Sequence, residues 1–289
     1  MFFYKNDIKN GLSNEGLKKL VFVEGLGTVY DKCEREAKIA SYLAEILKID
    51  KKDIELLQKA VMLSKADLMS EMVYEFTELQ GLMGYYYSKI AKNDEKISLA
   101  LKEQYLPSGE NSELPSSIFS SIVAMSNKID NLMALFSAGK IPTGSKDPFA
   151  LRRAALGVVK IAIEHKLDID FKAIFEDLKE NYKNLDLKVL NEFFIERLYK
   201  IFDSVNPTVL KAVISSGERN IYKIYQKVEA LNPFVESDSF KDYSATFKRV
   251  ANIVKDIEIN DSLEIVETLF EQDEERNLYN SFKKIKTSN

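Results

Sequence analysis

The sequence predicts an all-α protein. Long segments rich in Leu, Lys, Glu and Ile place apolar residues at helical spacing, and no segment alternates apolar and polar residues as a half-buried strand would. The 289 residues include only 11 Gly and 6 Pro, which leaves few of the turns that hairpins need. Because 45% of the residues are apolar, the chain can bury a sizeable core and is long enough for two domains.

Three helices can be placed from their starting residues. Asp50 suits an N-cap, and the apolar residues that follow it recur at helical spacing for several turns. A second helix is predicted to begin at Pro115 and to end at Gly139, because proline fits the first position of a helix and glycine fits the residue after the last. Asp147 is expected to cap a third helix, whose first position is Pro148.

Breaks in the helical pattern divide the rest of the chain. The residue before a proline is pushed out of helical geometry, so Asn206-Pro207 and Asn232-Pro233 are predicted to mark helix junctions. The polar stretch 180–188 precedes a new helical pattern, and we place a domain boundary within it, between residues 186 and 187.

Charge and cysteine usage limit the classes of function. The formal net charge of -4 gives no overall attraction to nucleic acid, so any RNA contact must be local. The single cysteine, Cys33, cannot form an internal disulfide. The sequence has no signal-peptide pattern and no long apolar run, and we therefore expect a cytoplasmic protein without membrane contact.

Residues 141–160 form the best basic patch of the sequence. They contain one acid, Asp147, and four basic residues: Lys146, Arg152, Arg153 and Lys160. Adjacent helical residues diverge by about 100°, so Arg152 and Arg153 cannot face the same way. One of the two is expected to pair with an acid inside the protein, and the other to face solvent or RNA.

The glycine turn before Lys146 matches a phosphate-binding loop only in part. Gly144 precedes a helix N-terminus, where backbone N–H groups can hold an anion. A Walker loop needs a second glycine four residues before a Gly-Lys pair, and here Ser145 separates Gly144 from Lys146. The loop is therefore compatible with a single RNA phosphate, and capping by Asp147 explains much of it without a ligand.

Four groups of residues together carry a resemblance to a known family. They are Phe2-Phe3-Tyr4 through Glu34-Arg35, Lys65-Ala66-Asp67-Leu68 through Met83-Gly84, Pro142-Thr143-Gly144-Ser145-Lys146-Asp147-Pro148 through Arg152-Arg153, and Lys248-Arg249-Val250-Ala251-Asn252-Ile253. In order and spacing, these segments are similar to the beta subunit of the bacterial two-subunit glycyl-tRNA synthetase. That family's beta subunit is much longer than 289 residues, so the resemblance implies that the chain is a fragment.

The resemblance implies two helical domains and a place in a ligase. Residues 1–186 would form an HD-like helical domain, and residues 187–289 an incomplete anticodon-binding domain, which is a helical bundle. The whole enzyme activates glycine with ATP and Mg²⁺ and transfers it to tRNA(Gly) at an active site in the alpha subunit, while the beta subunit binds and positions the tRNA. The fragment would itself have no catalytic residue and no cofactor, and its partners would be the alpha subunit and tRNA(Gly).

The basic segment and the resemblance together supply the candidate tRNA contacts. These candidates are Lys146, Arg152, Arg153, Arg197, Lys248 and Arg249. The last two lie side by side in a predicted amphipathic helix, where a basic pair is more often simply a solvated face. A scaffold that docks the alpha subunit without touching RNA therefore stays open as an alternative.

A metal-dependent HD phosphohydrolase is the alternative enzyme class. Such an enzyme needs His and Asp ligands around a divalent ion that activates a water molecule. This chain has one histidine, His165, at the end of the helix after Pro148, where helix capping or a surface role is favoured over metal ligation.

At the dyad position the sequence reads Ala66-Asp67, and Asp130 is the expected remnant of the distal carboxylate. Two acids without histidines make a poor metal site, so no metal is expected there. The two acids are predicted instead to join helices through hydrogen bonds and through Lys65 or Lys128.

Overall fold

The protein is described by a computed structural model that covers residues 2–109, 111–255 and 265–287. Within these ranges all regular secondary structure is helical, and backbone pairing of the strand type is limited to isolated bridges. The predicted all-α class is therefore confirmed. The α-helices are α1 (Phe2–Asn10), α2 (Val29–Ile46), α3 (Lys51–Leu63), α4 (Glu71–Glu75), α5 (Leu82–Ile90), α6 (Glu95–Glu103), α7 (Ile118–Ser137), α8 (Leu151–Glu164), α9 (Phe171–Leu178), α10 (Leu187–Ile201), α11 (Pro207–Ser215), α12 (Ile221–Glu236), α13 (Asp238–Val254) and α14 (Asp273–Thr287).

Helix α7 lies at the centre of the main core. Its buried side chains cover nearly its whole circumference, and it packs against α2, α6 and α8. Such a helix is apolar on all sides because it has no solvent face. The prediction that it begins at Pro115 is wrong: the hydroxyl of Ser117 accepts a hydrogen bond from the N–H of Ser120 and sets the start at Ile118.

Helix α8 begins later than predicted, although its predicted cap is confirmed. The Asp147 carboxylate accepts hydrogen bonds from the N–H groups of Leu151 and Arg152, each at 2.9 Å. Ala150 has a φ of 56°, which is left-handed backbone and incompatible with a helix running through it. The helix therefore starts at Leu151 and not at Pro148.

The two proline junctions differ in outcome. Asn206 caps α11, and Pro207 is its first residue, as predicted. The junction predicted at Asn232-Pro233 is wrong, because α12 continues through Pro233 to Glu236. Pro233 lies in the last turn, so only one helical hydrogen bond is lost before the helix ends.

The chain divides into two compact units, residues 1–235 and 236–289. The first contains the main core, in which α10 packs against α7, α8 and α9. In the second, α13 has no buried side chain. The predicted boundary between an HD-like and an anticodon-binding domain, at residues 186 and 187, stays a prediction.

No helix in the described ranges combines the length and the apolar composition that crossing a bilayer requires.

Candidate nucleic-acid interface

Asp67 holds the N-terminus of α5. Its Oδ2 accepts hydrogen bonds from the N–H groups of Gly81, at 2.6 Å, and Gly84, at 3.1 Å. A Cβ at Gly84 would lie 3.3 Å from Oδ2, so the absence of a side chain there lets the carboxylate approach the helix. Burial raises the pKa of Asp67, although the two N–H donors favour its ionised form.

Asp130 is held by two cationic side chains of α2 that sequence reasoning did not assign. Lys32 Nζ lies 2.8 Å from Oδ2, and Arg35 Nε lies 2.7 Å from Oδ1. The Tyr182 hydroxyl also donates to Oδ1, at 2.8 Å. Burial opposes ionisation of Asp130, but attraction to Lys32 and Arg35 outweighs it and lowers the pKa of the carboxyl.

Glu36 extends this network toward the dyad position. Its carboxylate lies 2.9 Å from Lys32 Nζ and 3.7 Å from Lys65 Nζ. Lys65 also donates to the side-chain oxygen of Gln104. We call the six charged side chains at this position the HD-like centre, and three are cationic and three anionic: Lys32, Arg35, Lys65, Glu36, Asp67 and Asp130.

The donors of the HD-like centre do not fit a divalent metal. Both Asp130 oxygens accept bonds from cations, Asp67 Oδ2 accepts bonds from backbone N–H groups, and Lys32 places its ammonium between Asp130 and Glu36. Asp67 Oδ1 is buried without a hydrogen-bond partner, but one oxygen cannot hold the ion, and a metal would have to displace the cations from Asp130 and Glu36 to gain further ligands. Within the described ranges, no group of three or more His, Cys, Asp or Glu side chains is placed to hold a metal.

The two lysines expected beside these acids bond elsewhere. Among the described residues, neither Lys65 nor Lys128 makes a hydrogen bond to Asp67 or Asp130. Lys65 approaches Glu36 instead, and Lys128 Nζ donates to the carbonyl of Tyr105 at 3.1 Å. The acids join helices, as predicted, but with other partners.

The two adjacent arginines of α8 have different surroundings. Arg152 Nη2 donates to the carbonyl of Gly144 at 2.6 Å, so this side chain braces the loop that carries Lys146. Its internal partner is thus a carbonyl and not the acid that we expected. Arg153 is exposed and has one long contact, 3.4 Å from Nη1 to the carbonyl of Ser108. Lys146 is also exposed, and its backbone pairs with that of Thr143 to close a turn.

Arg153 lines a cleft of about 460 Å³, which we call the basic cleft. Its walls come from the segment 107–109, from α8 and from α10. The described residues that line it include three basic side chains, Arg153, Lys160 and Lys200, and one acid, Asp203. Asp203 lies 3.4 Å from Lys200 Nζ, where both side chains are largely exposed, so the pair is weak.

The other candidate contacts do not line this cleft, and they differ in exposure. Arg197 is only 16% exposed, pairs with Glu196 at 2.6 Å and lies over the Phe193 ring at 4.9 Å. Lys248 and Arg249 are exposed on α13, in the second compact unit. Arg197 therefore has its bonding groups partly engaged, whereas the pair on α13 presents its charges to solvent.

His165 occupies the C-cap of α8, as its position in the sequence indicated. Its Nε2 lies 2.8 Å from the carbonyl of Pro115, so the ring ties the end of α8 to the start of the α7 segment. Sequence reasoning missed Lys200 as a site residue. Only the packing of α10 on α8 brings it near Arg153, and no local signal marks it.

Comparison with known proteins agrees with the resemblance in the sequence. Residues 1–215 match the family described as glycyl-tRNA synthetase beta subunit. A glycine–tRNA ligase beta subunit of Helicobacter pylori (strain Shi470) is 48% identical over 300 aligned positions, which cover 100% of this chain and 43% of the relative.

More distant relatives carry the same name. The protein of Sulfurihydrogenibium sp. (strain YO3AOP1) is 35% identical over 99% of this chain and 41% of its own length. That of Coxiella burnetii (strain Dugway 5J108-111) is 39% identical over 88% of this chain and 38% of its own length. The chain thus spans less than half the length of the relatives that it matches. The matched residues include the HD-like centre and the basic cleft, and the chain belongs to the glycyl-tRNA synthetase beta subunit family.

Proposed function

We propose that this chain binds tRNA(Gly) and positions it within glycine–tRNA ligase. Glycine activation with ATP and Mg²⁺, and transfer to the tRNA, would take place on the alpha subunit in the cytoplasm. The chain itself would contribute no catalytic residue and no cofactor, and would act on the rate by orienting a substrate that reacts elsewhere. Membership of the beta subunit family supports this role.

The basic cleft is the observation that carries the proposal. RNA is held largely through its phosphates, by Lys and Arg side chains. On a chain with a net charge of -4, a cleft with three basic residues and one weakly paired acid is a local site of the required sign. We assign Arg153 and Lys200 the main phosphate contacts in the first unit, and Lys146 a further one on the loop that Arg152 braces.

The second unit would add a separate contact through Lys248 and Arg249. Both are exposed on α13 and adjacent in sequence. Each can neutralise one phosphate, so the whole chain would reach only a few phosphates and would bind tRNA with a shallow salt dependence.

A scaffold that docks the alpha subunit is the second candidate, and α13 favours it. The exposed apolar residues of this helix recur at helical spacing, and Phe247 and Ile253 are 73% and 72% exposed. An apolar stripe on one helix is typical of a surface that packs against another protein. The phosphohydrolase alternative is not proposed, because the acids of the HD-like centre are engaged by cations and N–H groups.

The proposal is tested by tRNA binding to the ligase reassembled from the alpha subunit and the complete beta subunit. Arg153→Glu and Lys200→Glu each place an acid in the basic cleft, and each should weaken tRNA binding by about tenfold, the worth of one charge-assisted contact. Melting temperature and helicity should stay near those of the parent, because both side chains are exposed.

Lys188→Glu is the matched control. Lys188 is exposed in the first turn of α10, about 18 Å along that helix from Lys200, and does not line the basic cleft. The Lys188→Glu variant has the same change of charge as the cleft variants. Because this change lies outside the basic cleft, the tRNA affinity of the variant should stay close to that of the parent. If the two cleft variants bind tRNA and are aminoacylated like this control, the scaffold function replaces the RNA-binding one.

A further inference from the structure

A second, smaller cavity lies beside the basic cleft and is unexplained by the contacts described so far. It measures about 200 Å³, is open to solvent and is lined by α7, by the start of α8 and by the segment after α6. The side chains with polar or aromatic groups on its wall include Tyr105, Asn127, Lys128, Asn131, Phe149 and Arg153. Among the described residues of this wall there is no Asp or Glu.

Lys128 brings an amine into this cavity with little compensation. The residue is 5% exposed, and the hydrogen bond to the Tyr105 carbonyl is the single one that its ammonium makes with the described residues. Among those residues no carboxylate lies within ion-pair distance of it. Burying an ammonium group is costly unless an acceptor or an anion offsets the lost hydration. The buried ammonium group of Lys128 therefore lacks a compensating negative charge among the described residues.

Gly157 makes room for this lysine. A Cβ on Gly157 would lie 2.5 Å from Lys128 Cε and 2.9 Å from Cδ, so any side chain there would push the lysine out of its path across α8. The side chain of Lys128 thus passes over Gly157, where α8 has no side chain, to reach the cavity. The close packing of α7 on α8 at this glycine determines where the amine lies.

Two asparagines add further donors. Asn127 is 6% exposed, lines the cavity, and makes no side-chain hydrogen bond with the described residues. Asn131 Oδ1 accepts from Lys32 Nζ at 2.7 Å, which leaves its amide NH₂ as a donor. Together with Lys128 and Arg153, these groups make a wall that is rich in donors and in positive charge.

The size of the cavity suits a small anion. Since water occupies about 30 Å³ in the liquid, the cavity has the room of about seven waters. That is enough for a tetrahedral oxyanion and its ester carbons. A phosphate group matches the wall in charge, in number of acceptor oxygens and in size.

We propose that the cavity at Lys128 and Asn127 is a phosphate subsite, and that it takes a backbone phosphate of the RNA. The inference rests on the proposed tRNA-binding function and names a contact within it. Arg153 and Pro107 line both this cavity and the basic cleft, so Arg153 stands between two neighbouring anion sites. An RNA strand with one phosphate in the cleft can place another in the cavity.

Filling the subsite would be coupled to protonation of Lys128. Burial and, to a smaller extent, repulsion from Lys65 lower the pKa of Lys128 to about 7, while attraction to Glu36 on α2 acts in the opposite direction. Tyr105 after α6 and Arg153 on α8 are the other titratable groups on the wall. An anion beside the amine favours its charged form, so binding of phosphate at about pH 8 should take up a proton.

Asn127→Asp is the test variant, because it keeps the shape of the side chain and puts a carboxylate beside Lys128. The reassembled ligase with this change should bind tRNA about tenfold more weakly than the parent. Its melting temperature should be equal or higher, since the new carboxylate compensates the lysine. A purely structural role for Asn127 would instead lower stability without a separate loss of affinity. Asn184→Asp, in an exposed loop, makes the same change of net charge and is the control.

Inorganic phosphate serves as the second probe. It should raise the melting temperature of the parent and of Asn184→Asp but not of Asn127→Asp, and calorimetry in two buffers should detect proton uptake that Lys128→Met abolishes. If phosphate stabilises Asn127→Asp as much as the parent, the cavity is not an anion site. If phosphate distinguishes the variants but tRNA does not, the site takes a free anion and the assignment to RNA is wrong.

The two proposals fail in different ways. When Arg153→Glu and Lys200→Glu weaken tRNA binding and Asn127→Asp does not, the RNA-binding function stands and the assignment of an RNA phosphate to the subsite falls. When none of the three weakens it, the RNA-binding function itself is lost.

Discussion

Lys32 Nζ lies 2.8 Å from Oδ2 of Asp130, and both side chains are almost fully buried. The same nitrogen lies 2.9 Å from Glu36, so one ammonium is shared by carboxylates of two helices, α2 and α7. In this chain, the position that resembles an HD metal site is thus occupied by protein cations. The arrangement gives the centre a structural role in joining α2 to α7.

Replacing Lys32 with Met should therefore destabilise the protein strongly. The change would leave buried Glu36 with only its 3.7 Å contact to Lys65 and would remove one of the two cations of Asp130, at a cost of about 3–5 kcal/mol in free energy of unfolding. Chemical denaturation of the complete chain measures this. Lys18→Met breaks an exposed pair with Glu15 and should change stability little, which makes it the control.

The double variant Lys32→Met/Glu36→Gln should recover part of the lost stability, because it removes the uncompensated carboxylate together with the lysine. Additive losses in the two single variants and the double variant would contradict the shared ion pair.

The two acids of the HD-like centre should affect acid stability in opposite directions. The pKa of Asp130 is lowered, so its ionised form stabilises the fold at neutral pH, and this contribution is lost as the pH falls below the ordinary value of 3.8 toward the folded pKa. The pKa of Asp67 is raised, so ionisation costs stability above the folded pKa, and this cost disappears as the pH falls toward 3.8.

Unfolding of Asp130→Asn, Asp67→Asn and the parent between neutral and acidic pH measures both effects. The deficit of Asp130→Asn, about 3 kcal/mol at neutral pH, should shrink in acid. Asp67→Asn can keep the bonds from Gly81 and Gly84 through its amide oxygen, so its stability relative to the parent should be best at neutral pH and fall in acid. The same direction of change in both variants would show that the two environments have been assigned wrongly.

Gly157→Ala should have an effect whose sign depends on residue 128. In the parent, the new Cβ would clash with Lys128, and overpacking of this kind costs about 1–3 kcal/mol. In a Lys128→Ala background the clash is gone, and alanine should stabilise the helix by up to about 1 kcal/mol relative to glycine. Denaturation of the four variants of this cycle makes the comparison. A similar cost in both backgrounds would place the strain elsewhere.

The helical class and several local features followed from the sequence because they depend on neighbours in the chain. The cap at Asp147, the start of α11 at Pro207 and the C-cap at His165 involve short-range geometry. The start of α8 was misplaced because nothing in the residue type of Ala150 announces its positive φ. Pro233 was misread because a proline in a final helical turn costs much less than one in the middle.

The site was harder to predict than the fold because its contacts are long-range. Lys32 and Asp130 are 98 positions apart, and only the packing of α2 on α7 brings them together. Lys200 reaches the basic cleft in the same way, through the contact of α10 with α8. The sequence could indicate the acids and the arginines as candidate residues, but it could not show which cations would pair with each acid.

The two arginines of α8 should respond differently to substitution. Arg153→Gln removes an exposed charge of the basic cleft, so tRNA affinity should fall about tenfold and the salt slope should decrease by about 0.9 for one lost phosphate contact in a duplex region. Arg152→Gln removes the bond to the Gly144 carbonyl, so amide hydrogen exchange should increase in residues 140–147 while the salt slope stays that of the parent.

Binding of tRNA by the reassembled ligase at several salt concentrations, together with hydrogen exchange of the same samples, separates the two roles. Substitution of Arg152 should lower tRNA affinity only by loosening the loop that carries Lys146. Arg152→Lys keeps the charge but not the planar guanidinium, so it should loosen the loop as Arg152→Gln does. The assignment is reversed if Arg152→Gln lowers the salt slope without changing exchange in the loop. In that case Arg152 contacts the RNA, and Arg153 is the solvated member of the pair.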